Sequence, residues 1–264
     1  PGLSILRQRP ASNNPLHRMP PLGTSVVHDD AIALFDQWIT SVTDCSEIES
    51  PPVIGLVAAY AFEAGAGDTV TDTSGNGNNG LATDTTWTAA GKYGNALVFN
   101  GTSALVTISN SATLTLTSGM TLEAWVNPTT VNNAWRDVIY KGPDSYYLEA
   151  TSRKNGGVPA GGGTFGGNGT HTLGTALLTE GTWTHLAVTY DGALLRLYMN
   201  GAEVSSQAVT GDLLASGDPL QIGGDSLYGQ YFHGVIDEVR IYNVALTATE
   251  IQADMNTPVA PSVP

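Results

Sequence analysis

Between positions 56 and 242 the chain is a succession of short stretches in which apolar and polar residues alternate, each ended by Gly, Asn, Asp or Pro. A period of two belongs to strands that turn one face toward a core and the other away from it. The breaks come too often for helices, so the pattern requires antiparallel strands joined by tight turns. The shapes that satisfy it are a two-sheet sandwich or a barrel. The stretches are 56–63, 94–101, 104–109, 121–126, 137–141, 145–149, 183–190, 193–199, 219–223 and 232–242. Asn200-Gly201 predicts a type I′ hairpin, whose two central residues both need positive φ. The glycine-dominated segment 155–170 reads as a connecting loop. Pairing of 56–63 with 232–242 would remove an exposed sheet edge.

After the strands, Thr247 and Glu250 have the spacing of a capping box, with Leu246 and Ile251 as its hydrophobic staple. A short helix to about position 255 is expected. Residues 1–45 differ from the rest. They hold Arg7, Arg9 and Arg18, and one apolar helical face made by Ala31, Leu34, Phe35, Trp38, Ile39 and Val42. Residues 46–54 read as a linker and 257–264 as a Pro-rich linker, leaving 55–256 as the main domain. A start at Pro1 and a linker at the end are read as marks of a piece of a longer protein.

Composition narrows the partners. The 264 residues include 41% hydrophobic side chains, enough for a core, and 31 Gly, which suits many turns. A formal charge of −14 with ten Lys+Arg repels a phosphate backbone, so no nucleic-acid partner is expected. The same surface attracts divalent cations, though acidity also serves plain solubility. Cys45 is the single cysteine, no zinc or haem-attachment spacing exists, and no apolar run is long enough to span a membrane.

One cation site is suggested by spacing. Asp72-x-Ser74-x-Asn76-Gly77 puts oxygen-bearing side chains at alternate positions before a glycine, which suits Ca²⁺. Thr83 stands where an EF-hand would place its acidic twelfth residue, so the loop is not an EF-hand. By strand parity Asp237 shares a face with Val235, Val239 and Ile241, and a carboxylate on an apolar face needs a partner. Asp72 and Asp237 are therefore expected to hold one structural Ca²⁺, completed by Asn76, Asn78 or a backbone carbonyl. The alternative is an Asx turn at Asp72 and an Asp237 satisfied by backbone.

Seven segments in order resemble the laminin-G-like, concanavalin A-like jelly roll. They are Gly55-Leu-Val-Ala-Ala-Tyr-Ala-Phe-Glu, Asp72-Thr-Ser-Gly-Asn-Gly-Asn-Asn-Gly and Gly94-Asn-Ala-Leu-Val-Phe-Asn-Gly, then Met120-Thr-Leu-Glu-Ala-Trp-Val-Asn-Pro, Gly181-Thr-Trp-Thr-His-Leu-Ala-Val-Thr-Tyr-Asp-Gly, Leu197-Tyr-Met-Asn-Gly and Gly234-Val-Ile-Asp-Glu-Val-Arg-Ile-Tyr. The resemblance implies a two-sheet antiparallel sandwich, a calcium-stabilised binding or adhesion module of a secreted multidomain protein, and a carbohydrate or matrix ligand. Residues 1–45 resemble the end of a secreted bacterial cytochrome-c-like domain, with Met19 where haem-bearing members place an axial ligand. The Cys-x-x-Cys-His of such domains is missing, which argues against haem here.

A sugar surface needs aromatic platforms and polar groups in a groove. Trp135, Tyr146, Tyr147, Tyr228, Tyr231 and His233 lie in or near loops; Trp135, Tyr146, Tyr228, Tyr231 and His233 are the expected ligand contacts, whereas Trp125 and Trp183 read as packing. No catalysis is expected. The Glu-x-Asp-x-x-Glu strand of hydrolases with this fold is missing, as are a Gly-x-Ser-x-Gly elbow and a His-x-x-x-His pair. Two other readings are an assembly module docking to other domains of its parent chain, and an accessory part of a redox protein.

Overall fold

The structure, a computed structural model, describes residues 54–259. The expected helix carrying the face from Ala31 to Val42, Met19, Cys45 and the last residues of the Pro-rich linker lie outside the described residues.

Sixteen strands follow one another: β1 (Leu56–Tyr60), β2 (Thr69–Val70), β3 (Gly80–Thr83), β4 (Thr86–Thr88), β5 (Ala96–Asn100), β6 (Leu105–Ile108), β7 (Met120–Pro128), β8 (Arg136–Lys141), β9 (Tyr146–Thr151), β10 (Ala160–Phe165), β11 (Asn168–Leu173), β12 (Thr184–Tyr190), β13 (Leu194–Met199), β14 (Ala202–Ala208), β15 (Leu220–Ile222) and β16 (His233–Tyr242). A single α-helix among the described residues, α1 (Ala248–Met255), follows them. The first sheet runs β14-β13-β12-β7-β16-β5-β4, with β1 also on β16. The second runs β11-β10-β9-β8-β15-β6-β3-β2. This is the expected antiparallel jelly-roll sandwich.

The core lies between the sheets. Leu122, Ala124, Leu186, Val188, Ile236, Val239 and Ile241 enter it from the first sheet, and Val106, Val138, Tyr146, Leu148 and Ile222 from the second. Burying a large apolar side chain contributes about 1.5–3 kcal/mol, so this interior accounts for most of the favourable energy of folding. The expected pairing of first and last strands is present, Ala59 opposite Arg240 and Tyr60 opposite Val239. It covers the half of β16, Val239–Tyr242, that β5 does not reach. β16 lies inside its sheet, flanked by β7 on one side and by β5 and β1 on the other.

Two features depart from the alternation rule. In β16 the register shifts between Asp237 and Arg240, and Glu238 takes φ 56°. Such a bulge resets which side chains face inward. Ile236, Val239 and Ile241 point to the core, and Asp237 instead pairs opposite Trp125 on β7. The parity argument that aimed Asp237 at the apolar face is corrected by this bulge. The second departure is the glycine-rich segment, which is not a loop. Residues 160–165 form β10 and pair with both β9 and β11. Glycine is required there by space: a Cβ on Gly161 would lie 2.6 Å from Val188, one on Gly162 2.4 Å from the Thr170 carbonyl oxygen, and one on Gly163 2.4 Å from that of Ser145.

The outward face of the first sheet is roofed. Helix α1 starts at the expected capping box, Thr247 accepting from the Glu250 amide and Glu250 from the Thr247 amide. Ile251 packs on Ala187 and Tyr198, with Leu246 beside them. Beyond it Val259 packs on Ala59 and Ala61. The Asn200-Gly201 hairpin joins β13 to β14 with φ of 50° and 76°, as expected.

Candidate functional site

The Asp72 loop is held by the protein's own donors. Asp72 Oδ1 accepts from the amides of Ala59 and Ser74, and Oδ2 from the Asn78 amide and the Ser74 hydroxyl, each at 2.9 Å. The Asn76 side-chain amide donates to the carbonyls of Leu56 and Val57, and that of Asn78 to Val57 at 2.8 Å. Asn78 Oδ1 accepts from Ser111. Asp237 has a separate set: Oδ2 accepts from the amides of Lys92 and Tyr93 at 2.8 and 3.0 Å, and Oδ1 from Glu238 at 2.9 Å. The two carboxylates share no hydrogen-bond partner. Donors occupy the directions from which Asp72 would meet an ion, so this loop does not fit the bridging Ca²⁺ expected of it. Among the described residues no group of three or more His, Cys, Asp or Glu side chains is arranged to hold a metal. Beside Asp237 stands Glu63, which accepts from the Asn95 amide; burial, with a smaller contribution from Glu63, pushes the Asp237 carboxyl up to about 7.

The aromatic and acidic side chains converge on the outward face of the second sheet. In β9 the core takes Tyr146, Leu148 and Ala150, so Tyr147 and Glu149 face outward. Asp137 on β8 stands opposite Glu149. Gly162 passes beside the Tyr147 hydroxyl, which a Cβ there would meet at 2.8 Å. The loop after β15 supplies the opposite wall. It begins at Gly223, where a Cβ would meet the Phe99 ring at 2.0 Å. It is then organised by Asp225, fully buried, which accepts from the amides of Tyr228 and Gln230. The Gln230 carbonyl in turn accepts from the Asp137 amide at 3.0 Å.

The result is a pocket of about 240 Å³ lined by Trp135, Tyr140, Asp144, Tyr147, Glu149, His171, Tyr228 and Gln230. Tyr140 and Tyr228 meet edge to face, as do Trp135 and His171. Trp135, Tyr228 and Gln230 also line an adjoining hollow of about 510 Å³ with Arg136, Arg153 and Tyr231. His171 extends the depression toward β11. Asp137 is 1% exposed and its carboxyl meets that of Asp225, with no N–H or hydroxyl donating to it; Glu149 is 5% exposed and its Oε2 has no partner. Burial first, and then the neighbouring carboxylates, hold the carboxyls of both well above the usual range. Burial, and to a lesser degree Lys154, lowers the pKa of His171. The site offers ring faces, a carboxamide and acids at hydrogen-bonding depth. That combination can hold a polar ring-shaped molecule by stacking and by accepting its hydrogens.

Of the expected ligand contacts, Trp135 and Tyr228 come together in this pocket, and Tyr231 borders the adjoining hollow. Tyr146 does not reach it and is corrected to a core residue, fully buried with its hydroxyl donating to the Leu114 carbonyl at 2.9 Å. His233 stands outside the pocket's lining and shares a hydrogen bond with Thr130 at 2.9 Å. Tyr140, Asp144, Tyr147, Glu149, His171 and Gln230 were not among the expected contacts. Alternation along β9 carried the missing signal, since placing Tyr146 in the core turns Tyr147 and Glu149 outward together.

A family model described as concanavalin A-like lectin/glucanases superfamily, of the laminin G type, matches residues 100–252. Mouse pappalysin-1 is 42% identical over 82 residues and human pappalysin-1 37%, in both cases 29% of this chain. The chain spans only 5% of the length of those relatives. Among solved structures, domain 4 of an extracellular GH43 arabinanase from Geobacillus stearothermophilus, in complex with arabinotriose, superposes with TM-score 0.62 at 22% identity, over 76% of this chain and 98% of that one. The binding domain of Paraclostridial mosquitocidal protein 1 gives 0.63 at 16% identity, over 76% and 52%. That of botulinum neurotoxin serotype G gives 0.58 at 15%, over 76% and 50%. At these identities the structural matches speak for the fold.

Proposed function

Because this chain belongs to the concanavalin A-like lectin/glucanases superfamily, we propose that it is a non-catalytic carbohydrate-binding module of a secreted multidomain protein, with its ligand groove on the outward face of the second sheet. The observation that carries the reading is the pocket between Trp135, Tyr147 and Tyr228 with Glu149 unpartnered beside them. Aromatic faces stack on the apolar face of a sugar, and acids accept from its hydroxyls. The arabinotriose bound by the arabinanase domain supports a glycan over other ligands, and its extracellular setting supports a place outside the cell. No helix of the described residues is long and apolar enough to cross a membrane.

Titration calorimetry against a glycan panel tests the proposal. Trp135→Ala and Tyr228→Ala are each expected to weaken binding by about tenfold or more, the scale of one lost aromatic contact, with the fold retained. Tyr146→Phe should instead leave affinity unchanged and lower the melting temperature. Binding that survives both groove substitutions would refute the groove, and release of reducing sugar from a bound oligosaccharide would refute the non-catalytic reading.

A structural Ca²⁺ belongs to the proposal at Asp237 and Glu63, with main-chain carbonyls completing it, rather than at Asp72, because Asp237 Oδ1 accepts a single hydrogen bond where both Asp72 oxygens accept two. A dication there would favour the ionised Asp237 that burial disfavours. Melting with and without a chelator checks it: a drop that Ca²⁺ restores is expected, and identical curves would remove the ion.

A further inference from the structure

We infer that the pocket over β8 and β9 selects a positively charged amine on its ligand, so that the preferred glycan carries amino sugars with a free amine. This inference rests on the carbohydrate-binding reading and names the sugar class that the groove takes.

The acids beneath the rings are the starting point. Asp137, Asp144, Glu149 and Asp225 lie near enough for their charges to act on one another. Asp225 is spent on its own loop, accepting from two amides, and Asp144 accepts from the Tyr140 hydroxyl at 3.1 Å. Glu149 keeps an unpartnered Oε2 although it is more than nine-tenths buried, whereas the Asp137 carboxyl beneath it meets that of Asp225. Neither Lys nor Arg lines the pocket, and burial lowers the pKa of His171, its one basic lining residue. Arg136 and Arg153 belong to the adjoining hollow, and Arg136 is engaged there by the Tyr231 carbonyl at 2.7 Å.

A neutral hydroxyl would satisfy one carboxylate oxygen and leave the repulsion among the acids as it was. A cation removes both. The walls decide which cation. A Ca²⁺ ion takes six or more oxygen ligands, and of the acids only Asp144 and Glu149 line this pocket, whose other walls are largely rings. Trp135, Tyr140, Tyr147 and Tyr228 offer ring faces, which attract an organic ammonium and also stack on a sugar. A protonated amine set on a pyranose ring matches both halves of the pocket, the nitrogen toward Glu149 and the ring on the aromatic walls.

The test is calorimetry on the whole chain near neutral pH with three tetrasaccharides of one linkage: de-N-acetylated glucosamine, N-acetylglucosamine and glucose. The amine-bearing one is expected to bind about tenfold tighter than the other two, the scale of one partly desolvated cation contact. Glu149→Gln should bring that preference to near one without lowering the melting temperature, and Trp135→Ala should weaken binding of all three by about tenfold or more. Equal affinities, or a preference that Glu149→Gln retains, would overturn the amine and leave the glycan groove standing. A preference abolished by excess calcium chloride would give the pocket to a metal ion and overturn it too. If no tetrasaccharide binds, the carbohydrate reading itself falls. Glucosamine alone, followed at the Trp135 indole resonance, then decides the amine: a shift absent from Glu149→Gln upholds it, and no shift ends it.

Discussion

Each sheet of this sandwich buries charge on its outward face, and the two do so in opposite ways. On the first sheet Glu123 and His185 are fully buried, and Arg240 lies between acids, 3.9 Å from Glu123 and 3.6 Å from Glu238. Lys92 sits 3.9 Å over the Trp125 ring, and the Trp125 indole donates to the Met255 carbonyl at the end of α1. Arg240 also donates to the Thr257 carbonyl, and Glu238 accepts from the Val259 amide. Charges of both signs are present and the chain's own end is tied over them; burial raises the Glu123 carboxyl too, but Arg240 opposes that shift. On the second sheet Asp137 and Glu149 are just as buried, but the pocket beside them holds no Lys or Arg and stays open. Buried charge is costly unless paired, so a compensated cluster reads as architecture and an uncompensated one as a place where something else supplies the partner.

Substitutions can break or sharpen that contrast. The largest effect is expected from Arg240→Met, which strands Glu123 and Glu238 under the helix; removing one member of a buried ion pair costs about 3–5 kcal/mol, read as a shift of the denaturation midpoint. A loss under about 1 kcal/mol would mean that the first sheet's charges are not mutually compensating. Next comes pH. Burial first, then Arg240 and Lys92, push His185 down to about 3, so it stays neutral in the folded chain while the unfolded chain takes up its proton near 6.5. Its contribution is complete above 6.5 and is lost as the pH falls toward 3. Replacing it with Gln should flatten the fall in melting temperature over that window, by an amount equivalent to about 2–4 kcal/mol at its acid end. The smallest effect separates the second sheet. The raised Asp137 and Glu149 carboxyls contribute stability at low pH that is lost as pH rises. Asp137→Asn is therefore expected to stabilise the free protein by about 1–2 kcal/mol in mildly alkaline buffer, whereas the same exchange at a compensated site destabilises. A lower melting temperature for that variant would erase the distinction between the faces.

The sandwich was legible because alternation and turn chemistry are local. Asn200-Gly201, the Thr247–Glu250 box and the strands around Leu122 and Val188 all follow from neighbours in sequence. Asp237 was misread because a single bulged residue, Glu238, inverts parity and leaves no compositional mark. Residues 160–165 were misread because a strand of glycines has no side chains to alternate; its pairing is imposed by the strands on either side. The groove was legible only in its exposed aromatics, Trp135 and Tyr228. Its acids are brought together by cross-strand register between β8 and β9 and by a loop from a strand more than seventy residues later, which no local pattern encodes.

The glycines of β10 also set a limit on how this groove can change. At Gly161 the second sheet is one bare backbone thick, with the Val188 side chain of the first sheet on the core side, and its neighbour Gly162 faces the Tyr147 hydroxyl on the other. The walls, being side chains on loops, can be exchanged and the preference retuned. The floor cannot: any methyl group there collides with main chain or with the core, so depth is fixed by the backbone itself. Variation in what this groove accepts should accordingly be written around its rim, at positions such as Trp135 and Tyr228, and never at the strand beneath.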